Sequence, residues 1–151
     1  LAAHEVLEMS LTTALERIET VLTGTDIGLQ RYRYQLDQDN LEEAPARGTF
    51  DDGYHLKIIE GPSPYQELCL DPIDFVIVVE IQVATEIKNQ DDRTAADKRL
   101  GVHLHNIAKH LIWPTFSEIC NIFEQGRATS FTRDGQQLVT SLRLVAQYRE
   151  E

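Results

Sequence analysis

The clearest pattern in the chain runs from residue 75 to 87. Its odd positions are Phe75, Ile77, Val79, Ile81, Val83, Thr85 and Ile87, while its even positions drift from Val76 and Val78 to Glu80, Gln82, Ala84, Glu86 and Lys88. Strand side chains alternate between faces, so one face is buried throughout and the other only at its start. This is the pattern of a long antiparallel strand whose second half is wet or held by a neighbour. Such a strand spans ~40 Å, well past the usual length, and is expected to project beyond its own domain as a hairpin arm.

Around it the other elements follow. Leu11, Ala14, Leu15, Ile18 and Leu22 keep helical spacing behind Ser10, a capping residue, and ahead of Gly24, which predicts a helix near 11–23. The alternation of Tyr32, Tyr34 and Leu36 predicts a strand over 31–36, and 54–60 reads as a second strand, closed where Pro62 and Pro64 forbid a regular ladder. Ala96, Leu100, His103, Leu104, Ile107, Ala108 and Leu111 form one stripe of a helix over 92–112 that stops before Pro114. Residues 116–123 fit a short helix or an irregular strand equally well. Asp134-Gly135, flanked by 129–133 and 137–149, marks a closing hairpin. The fold class expected is α+β: a mainly antiparallel sheet with two principal helices packed on one face.

A length of 151 residues suits one domain, read as 10–151 behind an N-terminal extension, 1–9. With 42% hydrophobic and 26% charged residues, the composition is that of a globular chain and not of a disordered one. Lys and Arg number 14 against 25 Asp and Glu, and a net charge of −11 argues against a protein that grips nucleic-acid phosphates. Six of the acids, Asp37, Asp39, Glu42, Glu43, Asp51 and Asp52, face Arg47 alone within 37–52, a local charge of −5. Such a run reads either as a solvated loop or as a ligand surface. Cys69 and Cys120 are too few for a disulfide framework and lack CxxC spacing, so reduced, buried, structural thiols are expected. The longest apolar run, 75–79, is far short of the ~20 residues of a membrane helix, so no span is expected. The first residues carry no basic and apolar leader, and no secretory signal is expected in the sequence as given.

Geometry limits what the chemical motifs of the chain can do. Pro72-Ile73-Asp74 with Glu86-Ile87-Lys88 matches the loose P-D…E-x-K pattern of metal-dependent nucleases, where two carboxylates share one Mg²⁺. Twelve residues of unbroken strand would hold Asp74 and Glu86 ~40 Å apart, and nothing within 75–87 favours a turn. On the second helix, His103 and His105 point to nearly opposite faces, and His103 and His110 are ~10.5 Å apart in rise, so a half-buried His103 beside two exposed histidines is expected. No nucleophile elbow, glycine-rich phosphate loop or HExxH occurs. In Arg31-Tyr32-Arg33-Tyr34 the arginines and tyrosines fall on opposite strand faces. No catalytic residue, metal ligand or cofactor is assigned, although an enzyme whose residues are dispersed along the chain leaves no motif.

The leading helix (Thr12-Thr13-Ala14-Leu15-Glu16-Arg17-Ile18), the polar loop between strands, the long strand (Asp74-Phe75-Val76-Ile77-Val78-Val79-Glu80-Ile81), the helix opening Asp92-Arg93-Thr94-Ala95-Ala96-Asp97 and the hairpin ending Leu142-Arg143-Leu144-Val145-Ala146-Gln147-Tyr148 occur in a telling order. Across about residues 10–149 this order and hydrophobic pattern resemble the tail terminator (tail completion) proteins of long-tailed bacteriophages. The resemblance implies a structural virion protein without enzymatic activity, found in the tail or neck and in host cytoplasm during assembly. It implies a hexameric ring that caps the tail tube, stops its polymerisation and joins the head connector, with genomic DNA passing through the bore unread. Ring contacts are heterologous, and a projecting strand could supply them by edge pairing. Glu80, Gln82, Glu86 and Lys88 are therefore assigned to assembly contacts, as are Asp37, Asp39, Glu42, Glu43, Arg47, Asp51 and Asp52 towards tube or connector. Other neck or head-completion subunits, a small cytoplasmic metal-dependent hydrolase or nuclease, and a host adaptor binding basic partners are the alternatives.

Overall fold

The computed structural model describes residues 3–31, 52–64, 74–87, 93–116, 119–131 and 137–149. Helix α1 covers Ala3–Thr23, and its period places Ala14, Ile18 and Leu22 in the core with no exposed surface. The helix starts well before Ser10, which lies inside it rather than capping it. Good helix formers such as Leu7, Glu8 and Met9 continue the helix, outweighing the weak local preference of one serine. At the other end Gly28, at φ +67°, donates to the Gly24 carbonyl at 2.6 Å and turns the chain so that Ile27 and Leu29 reach the core.

Five strands follow in the spatial order β1-β2-β3-β5-β4: β1 Gln30–Arg31, β2 Gly53–Pro64, β3 Asp74–Glu86, β4 Asn121–Phe131 and β5 Gln137–Arg149. Only β1 runs parallel to its neighbour; the other three pairings are antiparallel. The fold is therefore α+β, with a mainly antiparallel sheet and two helices. Of the strand expected over 31–36, Arg31 falls in β1, and the remainder lies outside the described residues.

The long strand is where expectation and structure part. It has the anticipated length, yet it is the central strand, paired along its whole length by β5 and from Phe75 to Ala84 by β2. It does not project as an arm, because both rows of its backbone groups are taken up inside the domain. The prolines of β2 also act differently from expectation. Register shifts between Ile58 and Glu60, and between Glu60 and Ser63, carry the ladder past Pro62 to Pro64, since a bulge spares a proline from donating. Gly61 makes the passage possible: at φ +90°, a Cβ there would stand 2.7 Å from the Val76 carbonyl.

Helix α2, Arg93–Ile107, runs on into a π-helical turn, Ala108–Ile112, before Pro114. Ala96, Leu100, Ile107 and Leu111 are its buried residues, and His103 is half-buried. Within 116–123, Ile119 is buried and strand β4 begins at Asn121, two residues before the segment ends. Cys120 is free as expected but exposed, and Cys69 lies outside the described residues. No helix among the described residues is long and apolar enough to cross a membrane.

One core cluster joins α1, α2 and a single face of the sheet: Ile77, Val79, Ile81 and Val83 of β3 with Leu138, Leu142, Leu144, Ala146 and Tyr148 of β5. Both helices thus cover the same face. Burial of these aliphatic side chains, roughly 1.5–3 kcal/mol each, is the main favourable term in the fold. Tyr148 stacks on Phe75 with ring centroids 6.0 Å apart, and its buried hydroxyl finds no hydrogen-bond partner among the described residues. Burial pushes its pKa up to about 12. Tyr54 is likewise raised to about 12, by burial first and then by the Glu19 carboxylate.

Tyr148→Phe is expected to keep or raise the melting temperature at pH 7, because a buried hydroxyl without a partner costs about 1–3 kcal/mol. A phenol held neutral by folding supports the native state fully below its unfolded pKa of 10.0, and that support fades as pH rises towards about 12. Thermal denaturation at pH 8 and pH 11 should show a smaller alkaline loss in Tyr148→Phe than in wild type; a variant several degrees less stable at pH 7 would contradict this account.

Candidate assembly surface

Alternation along β3 sends Asp74, Val76, Val78, Glu80, Gln82, Ala84 and Glu86 to the face away from the helices. In mid-sheet that face carries a row of charges. Glu80 stands opposite Lys57 of β2 and Arg143 of β5, with Oε1 3.7 Å from Lys57 Nζ and Oε2 3.9 Å from an Arg143 guanidinium nitrogen. Its side chain is 13% exposed, whereas that of Arg143 is 48% exposed. One pair further along, Gln82 lies between His55 and Ser141 and is fully buried.

The row changes character at β4. A register shift between Glu124 and Gly126 places Gly126 opposite Arg143. Beside this bulge lies a cavity of about 280 Å³ bounded by Glu80, Ser141, Arg143 and residues 125–128. Arg127 Nε donates to Glu124 Oε1 at 2.6 Å across the bulge. Beyond it, residues 125–130 are exposed, as is nearly half of Phe123.

Two further polar clusters fasten the ends of the sheet. At one, Asp74 accepts from Arg149 Nε at 2.9 Å and from Gln147 Nε2 at 2.5 Å. The Arg149 hydrogen bond, ahead of the one from Gln147, holds the Asp74 carboxyl below its ordinary value of 3.8, against the opposing effect of burial. At the other, Asp52 Oδ2 lies 2.7 Å from His103 Nε2 and 3.5 Å from Arg99 Nε, while its carbonyl accepts from the Gln30 amide. Arg99 also donates to the Glu86 carbonyl at 2.7 Å. Helix α2 is thereby tied to the start of β2 and the end of β3.

The residues assigned from sequence do not gather in one place. Asp37, Asp39, Glu42, Glu43, Arg47, Asp51 and Lys88 lie outside the described residues. Asp52 is engaged by α2, Gln82 is buried, and Glu80 is held between Lys57 and Arg143; because β3 is central, edge pairing through it is closed to Glu80 and Gln82. Glu86 is half-buried at the far end of β3 from Asp74, which keeps these carboxylates from sharing an ion. His105 packs edge-on against Trp113, His110 lies 3.9 Å from Asp26, and His103 faces Asp52. Among the described residues no three metal-ligating side chains converge.

Lys57, Gly126, Arg127 and Arg143 were not singled out by sequence reasoning. A glycine within a strand is a bulge signal, but Gly126 falls between the 116–123 segment and the strand expected from 129, where the sequence predicts no strand. In comparisons with known proteins, no family model and no curated protein matches the chain.

The lowered Asp74 value has a definite sign. Its support for the fold is present above the ordinary aspartate value and is lost as pH falls through the lower folded one. Asp74→Asn should therefore lower the melting temperature at pH 7 and reduce its dependence on pH below 4. Parallel acid limbs for variant and wild type in a thermal melt series would exclude this role.

Proposed function

We propose that this chain is a structural, non-enzymatic subunit of the phage tail terminator type, assembling as a hexameric ring. The ring caps the tail tube, stops its growth and presents a surface to the head connector. Support comes from the order of elements, a leading helix, a long strand, a second helix and a closing hairpin, now with both helices on one face of the sheet.

The observation that carries the reading is the inequality of the two sheet ends. One end has a β2 interrupted by register shifts and prolines; the other ends in β4, Asn121–Phe131, unpaired on its outer side among the described residues. A ring is built from head-to-tail contacts between unlike surfaces, and an open edge strand is a ready acceptor for backbone pairing. The charge of −11 per subunit suits a bore through which DNA slides without adsorbing. In this reading the protein belongs to the virion tail or neck and meets the host cytoplasm during assembly.

Light scattering and negative-stain electron microscopy of the purified protein should show six-membered rings of 17.2 kDa subunits, or monomers that convert to rings on concentration. A protein that stays monomeric at all attainable concentrations, and also in the presence of tail tube protein, would sink the proposal.

A further inference from the structure

Along the far face of the sheet the charges alternate in one lane: Lys57 on β2, Glu80 on β3, Arg143 on β5. The next place, on β4, is Gly126, which has no side chain to continue the series. A Cβ at Gly126 would meet nothing within 4 Å, and the adjoining cavity is bordered by both Arg143 and Arg127. A guanidinium offers five donors, Arg143 reaches Glu80 only at 3.9 Å, and Arg143 borders the gap. Arg127 pairs with Leu142 on the helix side and bonds Glu124, so the gap is flanked by the Arg143 guanidinium, and a plus, minus, plus series ending in an open place beside it is complementary to a carboxylate.

We propose that an acidic side chain of a second copy of this chain fills that place, carried on an extended segment that pairs with the outer edge of β4. The inference rests on the ring reading and gives the ring its acceptor contact. An added strand lies ~4.8 Å beyond β4, and a Glu across from residue 126 reaches over the glycine towards Arg143, where a long side chain at 126 would block it but a methyl group would not. A second copy fits as donor because acids outnumber bases 25 to 14 in this chain, so its own surface is rich in the required group. The far edge of the sheet is a poor alternative acceptor, since β2 is interrupted there by two register shifts, Pro62 and Pro64.

Gly126→Glu places the carboxylate in the gap from within the chain and should compete with the neighbour. Gly126 has an ordinary negative φ and open space around it, so this variant is compatible with the native backbone. Light scattering over a concentration series should show assembly of Gly126→Glu and Arg143→Gln weakened by about tenfold or more, with Gly126→Ala assembling as wild type and circular dichroism unchanged in all three. Wild-type rings together with undiminished rings in folded Gly126→Glu and Arg143→Gln would overturn the acceptor site and leave the ring reading standing. A wild type that never assembles defeats the ring reading and the second copy as occupant. The carboxylate site is then judged by fluorescence anisotropy with labelled hexaglutamate. Binding lost in Gly126→Glu and Arg143→Gln supports a site for another acidic partner, and equal or absent binding overturns it.

Discussion

The pairing of β3 with β5 is the constraint on which the rest of the molecule depends. It is unbroken from Asp74 opposite Arg149 to Glu86 opposite Gln137. Because strand side chains alternate, a slip of one residue would exchange every core position for one on the far face. Burial penalises such a slip strongly: Ile77, Val79, Ile81 and Val83 would leave the helices, and Asp74, Glu80 and Glu86 would enter the core. The hydrogen bonds from Gln147 and Arg149 to Asp74 fix one end of the same register, and Arg99 on the Glu86 carbonyl fixes the other.

The two helices cover one side of the sheet, and the opposite side combines buried residues, Val78, Gln82, Ala84 and Val139, with a polar row. There the buried Gln82 and Ala84 give way to the Lys57, Glu80 and Arg143 row and then to the gap at Gly126. Charges in such a row restrain one another but contribute little individually where they are exposed. Their value lies in complementarity, which suits a face that meets a partner. The β4 bulge connects the charged face to the edge strand among the described residues, so one local irregularity shapes both the cavity and that edge.

Long periodic segments were legible in the residues: Ala14, Ile18 and Leu22, then Ile77, Val79, Ile81 and Val83 of β3, and Leu138, Leu142, Leu144, Ala146 and Tyr148 of β5 all lie in the core. Boundaries were less so. The start of α1, the passage of β2 through its prolines and the onset of β4 depend on helix continuation, bulges and cross-strand partners that no short window contains. The candidate site was less legible still. Glu80 and Gln82 were noticed for their polarity, but their partners Lys57, Arg143 and His55 are remote in sequence and become neighbours only across strands. His103 was expected to be half-buried; that Asp52 is the carboxylate against it is a tertiary fact.

By itself, then, the sequence determined the α+β class, the length of the central strand and the core face from Ile77 to Val83, because period and hydrophobicity are local quantities, but not the burial of Gln82 and Ala84 on the other face. Only the tertiary structure decided that this strand lies inside the sheet instead of projecting, that β4 is the edge strand among the described residues, and that Gly126 faces Arg143. Those outcomes follow from which strand pairs with which, and strand pairing is set by long-range burial and register that a linear pattern does not encode.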